Sequence, residues 1–193
     1  MITVVTGLGR SGTTAMMRAL HAGGMDPKCS NFDSYEWLAV NEVLHRDPAR
    51  FAAECEGKAV KVLDPQLHPI PPCGDLALIW MRRNFREQAK SIRKFWRVLN
   101  GIQVSRREIP RVVKSLKSDT GSGLFAAARV GRVVEVRFED LLMWPHTVCS
   151  DVVRHLGLPL DVPAMAAEID TDRSTDCARV MREVTWMGRG APA

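Results

Sequence analysis

The chain has 193 residues, 46% apolar and 25% charged, which suits one globular core and excludes predominant disorder, a collagenous rod and a coiled-coil fibre. No apolar run approaches the roughly 20 residues of a membrane-crossing helix. The formal charge of +5 is uneven, because residues 82–117 hold 12 Lys or Arg against two acids, Glu87 and Glu108. That local +10 points to an anionic ligand, and the lack of zinc-finger or RNP-type aromatic motifs argues against nucleic acid. The opening residues MITVVTGLGRSG lack the pattern of a secretory signal. Cys29, Cys55, Cys73, Cys149 and Cys177 are an odd, scattered set without a CxxC pair. They predict neither a disulfide framework nor a zinc site, and a reducing, cytoplasmic setting.

In chain order, residues 2–6 are a β-branched run expected to be a buried strand. Residues 7–13 form a glycine-bearing turn, and 14–22 a helix ended by Gly23-Gly24. Residues 34–44 predict a helix with Ser34 as N-cap and Trp37, Val40 and Leu44 on one face. Residues 59–63 and 76–81 are nearly continuous apolar runs, expected as strands covered on both faces. Residues 84–99 give the clearest helix, with Asn84 and Glu87 placed as a capping box and Phe85, Ala89, Ile92, Phe95, Trp96 and Leu99 as its apolar stripe. Helices are expected at 107–118 and 122–129, a strand at 132–138, then helices near 146–156, 163–168 and 175–183. Alternating strands and helices predict an α/β three-layer sandwich with a mainly parallel central sheet. Residues 1–183 are expected as a single domain, and 184–193 as a Gly/Pro/Ala-rich tail.

Gly7-Leu8-Gly9-Arg10-Ser11-Gly12-Thr13-Thr14 lies where a phosphate-binding turn belongs, between a strand and a helix. There, backbone N–H groups and the helix dipole favour an anion. The Gly7–Gly12 spacing copies GxxxxGK[ST], but Thr13 stands in the Lys position and Arg10 is the nearby cation. This predicts an anion other than a Mg-bound triphosphate.

VTGLGRSGTTAMMRAL resembles the 5′-phosphosulfate loop of sulfotransferases that use 3′-phosphoadenosine 5′-phosphosulfate (PAPS), which carry Lys or Arg before Ser-Gly-Thr. IWMRRNFREQAKSIRKFW resembles that family's 3′-phosphate motif, with Arg83 at a strand end and Ser91 eight residues on. VVEVRFEDLLMWPHTVCSDVVRHLGLPLD is similar to the late strand, "YEDL" turn and "FLGLP" helix end, with Phe138 in place of Tyr. SYEWLAVNEVL looks like a "YYEFEPVKKL" segment of small bacterial members. The resemblance covers roughly residues 2–160 in register. It implies a P-loop-like fold and a sulfotransferase that moves a sulfonyl group from PAPS to a hydroxyl or amine, releasing adenosine 3′,5′-bisphosphate (PAP). The implied acceptor is a small molecule or carbohydrate, and no metal is implied.

By the same resemblance, Gly9, Arg10, Ser11, Gly12, Thr13 and Thr14 would hold the 5′ end, and Arg83 and Ser91 the 3′-phosphate. Two anion sites on one sheet edge also follow from the ligand, since open α/β sheets bind beyond the strands' carboxyl ends. Lys61 matches the Lys of the family's "KTHLP" segment, whereas Leu63 falls on its catalytic His. Lys61, Arg10, Thr13 and Thr14 are candidates to stabilise the leaving oxygen. Glu36, Asp64 and His68 are the candidate bases, in that order. His21, His45, His146 and His155 have no metal-ligand spacing and are expected to be structural. The alternatives are a small P-loop kinase, opposed by the missing Lys, and a non-catalytic PAP-binding module, kept open by Leu63.

Overall fold

Five short segments pair into one sheet in the computed structural model, which describes residues 1–100 and 105–169. The strands are β1 (Ile2–Gly7), β2 (Pro27–Lys28), β3 (Ala59–Leu63), β4 (Leu76–Arg82) and β5 (Arg132–Arg137). Their order is β2-β3-β1-β4-β5, and every pairing is parallel. Parallel strands require crossovers, and the helices that supply them cover both faces. That is why β1 is buried throughout, while β5 at the edge is largely exposed.

The helices are α1 (Thr13–Ala22), α2 (Val40–Arg46), α3 (Pro48–Cys55), α4 (Phe85–Asn100), α5 (Ile109–Ala128), α6 (Phe138–Met143), α7 (Pro145–Leu156) and α8 (Val162–Ala167). Side chains alternate across each strand, so β1 feeds two cores. Val5, Ile79 and Met81 pack with Met16, Met17 and Leu20 of α1, Leu141 of α6, Val152 of α7 and Met165 of α8. Ile2, Val4, Val62, Leu78 and Trp80 pack on the other face with Val43 and Leu44 of α2, Phe51 of α3 and Ala127 of α5. The expected three-layer α/β sandwich is therefore present, and its sheet is wholly parallel. Among the described residues no helix is long and apolar enough to cross a membrane.

Several local expectations change. Residues 34–39 are not helical, and the helix begins only at Val40. Asn31 accounts for this: its side-chain oxygen accepts from the Asp33 and Ser34 N–H groups, and its carbonyl from the Tyr35 N–H. The chain then turns through Tyr35 at φ 55°, a left-handed conformation that a helix cannot contain. Ser34 is thus no helix cap. The helices expected at 107–118 and 122–129 are one continuous α5, preceded by a 3-10 turn at Arg106–Glu108. Gly123 does not interrupt α5, because it gives room to Trp80: a Cβ there would sit 2.7 Å from the indole. Asn84 caps α4 by accepting from the Arg86 and Glu87 N–H groups at 3.0 and 3.3 Å. The return half of the box is missing, since the Asn84 N–H donates to Glu139 and Glu87 pairs with Lys90. Strand β2 and helices α3 and α6 were not expected, and Phe138, expected to end the last strand, begins α6. The helix expected at 175–183, Cys177 and the tail lie outside the described residues.

Candidate active site

The strand order reverses around β1: the chain goes first to β3 on one side and then to β4 on the other. This is the switch point where α/β sheets open a crevice. The turns after β1, β3 and β4 meet there. The β1 turn bends because Gly7 has φ 146° and Gly12 φ 104°, values that strain any other residue. Both glycines are also closely packed. A Cβ on Gly7 would meet the Met81 carbonyl at 2.5 Å, and one on Gly12 would meet the Phe138 ring at 2.4 Å. Helix α1 starts directly after Gly12, with Thr13 buried, so its N–H groups and dipole face the crevice. Ser11 Oγ is buried here without a hydrogen-bond partner.

On one flank of the loop stands Lys61, on β3 and only 4% exposed. Its Nζ donates to Thr14 Oγ1 at 3.0 Å, to the Ser34 carbonyl at 2.8 Å and to Glu36 Oε1 at 3.0 Å. A buried ammonium needs such company. The compact turn at residues 30–38 provides it, closed by the Ser30 N–H on the Glu36 carbonyl at 2.8 Å and the Leu38 N–H on Ser30 Oγ at 3.2 Å. Glu36 therefore lies in this turn and not at a helix start, and the charge beside it is Lys61.

On the other flank stands Arg10, whose Nε donates to Ser91 Oγ at 3.2 Å and whose guanidinium lies 5.1 Å from the Phe95 ring centre. Arg83, just beyond β4, stacks 4.9 Å from the Phe138 ring centre. Its pKa is lowered first by burial; Glu139 opposes this, and nearby Arg10 adds to it. Two cations thus approach each other at the loop. Ser91, expected beside Arg83, is joined to Arg10.

Asp64 follows β3 at φ 51° and accepts the Gly9 N–H at 3.2 Å. Burial raises its pKa, against the Gly9 N–H and a Gln66 hydrogen bond that lower it. His68 lies beside His45, with ring nitrogens 3.2 Å apart. His21 Nδ1 is 2.9 Å from the Tyr35 hydroxyl. No cluster of three His, Cys, Asp or Glu suited to a metal occurs among the described residues. Of the basic segment, Arg83 reaches the crevice, whereas Arg86, Lys90 and Arg97 are exposed on the outer side of α4.

Sequence patterning missed Gln88. It is 2% exposed, and its Nε2 donates to the Gly9 carbonyl at 2.8 Å and the Leu8 carbonyl at 3.5 Å. The available signal was a polar residue three positions before Ser91, on the side of α4 that turns inward.

No family model matches the sequence, and no curated protein does. Among solved structures, it is similar to the sulfotransferase domain from the curacin biosynthetic pathway, with TM-score 0.57 and 15% identity over 93% of this chain and 81% of that one. It is similar to a Mycobacterium tuberculosis sulfotransferase, with TM-score 0.55 and 14% identity over 98% of this chain and 76% of that one. A mouse sulfotransferase complexed with PAP matches with TM-score 0.53 and 11% identity, over 100% of this chain and 66% of that one. The three likenesses agree on one architecture: the chain has the sulfotransferase fold.

Proposed function

We propose that the protein is a PAPS-dependent sulfotransferase acting on a hydroxyl or amine of a small-molecule or carbohydrate acceptor. The observation that carries this reading is the Lys61 ammonium, which joins Thr14 of the loop to Glu36. A cation, a loop hydroxyl and a carboxylate then stand together at the open end of β3. The fit to the cofactor rests on Ser11 Oγ, a buried hydroxyl without a partner, and on Arg83, a cation that burial disfavours and a phosphate would compensate. The free thiols of Cys29, Cys55, Cys73 and Cys149 support a reducing, cytoplasmic setting.

When bound, PAPS supplies an activated sulfonyl group and departs as PAP. Ser11, Gly12 and Thr13 would bind its 5′ end through N–H groups and hydroxyls, Gly9 would shape that cradle with its own N–H on Asp64, and Arg83 would bind the 3′-phosphate, while Ser91 seats Arg10. Arg10, Lys61 and Thr14 place positive charge and donors where negative charge grows during transfer. Glu36 takes the proton from the attacking hydroxyl or amine. Lys61 holds its Oε1 and leaves Oε2 for that proton. Asp64 is the weaker candidate base, because its carboxylate is engaged by the Gly9 N–H.

Thermal unfolding with nucleotides tests the assignment. PAP at 100 times its Kd should stabilise the fold by about 2.7 kcal/mol without Mg, and AMP far less. Equal or greater stabilisation by Mg-ATP overturns the reading in favour of a kinase.

A further inference from the structure

Arg10 has φ 66°, a left-handed conformation that is unfavourable for a residue with a Cβ. Such strain persists only where the surroundings over-determine it. Both peptide groups of Gly9, the residue before Arg10, are fastened by side chains from other elements. The Gly9 N–H donates to Asp64 Oδ1 at 3.2 Å, and the Gly9 carbonyl accepts from Gln88 Nε2 at 2.8 Å. That carbonyl belongs to the peptide unit leading into Arg10, so Gln88 sets the plane against which Arg10 turns.

Gln88 sits where an aliphatic side chain would pack. A buried amide is costly unless bonded, and the Leu8 and Gly9 carbonyls of the loop accept from it. Gln88, Ser91 and Phe95 are spaced i, i+3 and i+7, so they share one face of α4. Gln88 holds the loop backbone, while Ser91 and Phe95 receive the Arg10 side chain. The same helix begins just after Arg83.

We propose that Gln88 is a positioning residue. With Asp64 it clamps Gly9, holds Arg10 in its left-handed conformation, and so sets the 5′ cradle in register with the 3′-phosphate anchor through one helix. The inference rests on the proposed role of the loop, and its test separates the two. Gln88→Met keeps the length and removes the donor. In the ligand-free protein it should speed amide hydrogen exchange at residues 9–11 about tenfold, the equivalent of one lost hydrogen bond. PAP binding should weaken by about the same factor, and that loss should vanish in the Arg10→Ala background, where no guanidinium remains to be positioned. Asp64→Asn keeps an oxygen for the Gly9 N–H and tolerates left-handed φ, so loop exchange and PAP affinity should stay near the parent, whereas Asp64→Ala should lose both. Unchanged exchange in Gln88→Met overturns the clamp, as does an equal loss of PAP affinity with and without Arg10. A parent protein that binds no PAP sinks the sulfotransferase reading instead, and loop exchange in the free protein then decides the clamp by itself.

Discussion

The two flanks of the loop hold positive charge in different surroundings. Lys61 is buried and meets a carboxylate of its own chain, Glu36. Arg10 and Arg83 lie against a serine hydroxyl and two aromatic faces, and Arg83's acidic neighbour Glu139 has one oxygen already on the Asn84 N–H. The contrast has a physical sense. Under the proposed function the Lys61–Glu36 pair works as one unit in proton transfer, so the ammonium keeps its carboxylate. Arg10 is seated on α4 through Ser91 and Phe95, and Arg83 on Phe138. The approach of Arg10 adds to the burial that disfavours the Arg83 charge, which a phosphate would compensate.

The largest expected effect breaks the Lys61 flank. Glu36→Gln should lower sulfonyl transfer from PAPS by about 10²–10⁴-fold, with PAP affinity nearly unchanged. A turnover assay beside calorimetric PAP titration measures the split; retained turnover moves the base to Asp64.

Gly12 stands between the flanks and serves both. Gly12→Ala places a methyl at φ 104° and 2.4 Å from the Phe138 ring. Backbone strain and overpacking together should cost about 2–5 kcal/mol in urea unfolding. A loss within 0.5 kcal/mol would mean that the loop relaxes freely.

The arginine flank should fail more selectively. Arg83→Ala should erase the preference for PAP over AMP, worth about 1.5–3 kcal/mol for one charge-assisted pair. Titrating both nucleotides against parent and variant reads this directly. Equal retention of the preference assigns the 3′-phosphate elsewhere.

The smallest effect is a pH dependence. Burial raises the Asp64 pKa above its ordinary 3.8, so the native state holds that proton more tightly than the unfolded chain. Its contribution to stability is fully present below pH 3.8 and is lost as pH rises through the folded-state value. Asp64→Asn should remove that decline, and unfolding midpoints across pH 3 to 7 would show it. A parallel decline in the variant assigns the effect to another group.

Much of this site was legible because its signals are local. Glycines at 7 and 12 with Arg10 between them, a β-branched run before and an apolar helix after, announce the tight strand-to-helix turn within 20 residues. Asn84 announces the start of α4 in the same way. Even α3 had its mark, since Asp47 before Pro48 caps it, accepting from the Arg50 N–H at 3.0 Å.

The parallel α/β plan, the loop and the strand-end cations follow from residue order alone, because periodicity, glycine placement and capping act over a few residues. Partner choice acts across the chain, and only the tertiary structure decided it. Ser91 binds Arg10 from 81 residues away. Glu36 meets Lys61 because Asn31 and a left-handed Tyr35 replace an expected helix with a turn. Gln88 looks like an ordinary helix polar residue until α4 packs its inner face on the loop. Strand β2, two residues long, has no period to read and exists only because β3 offers it an edge. Each of these depends on which surfaces the sheet brings together, and a chain's local pattern does not encode that meeting.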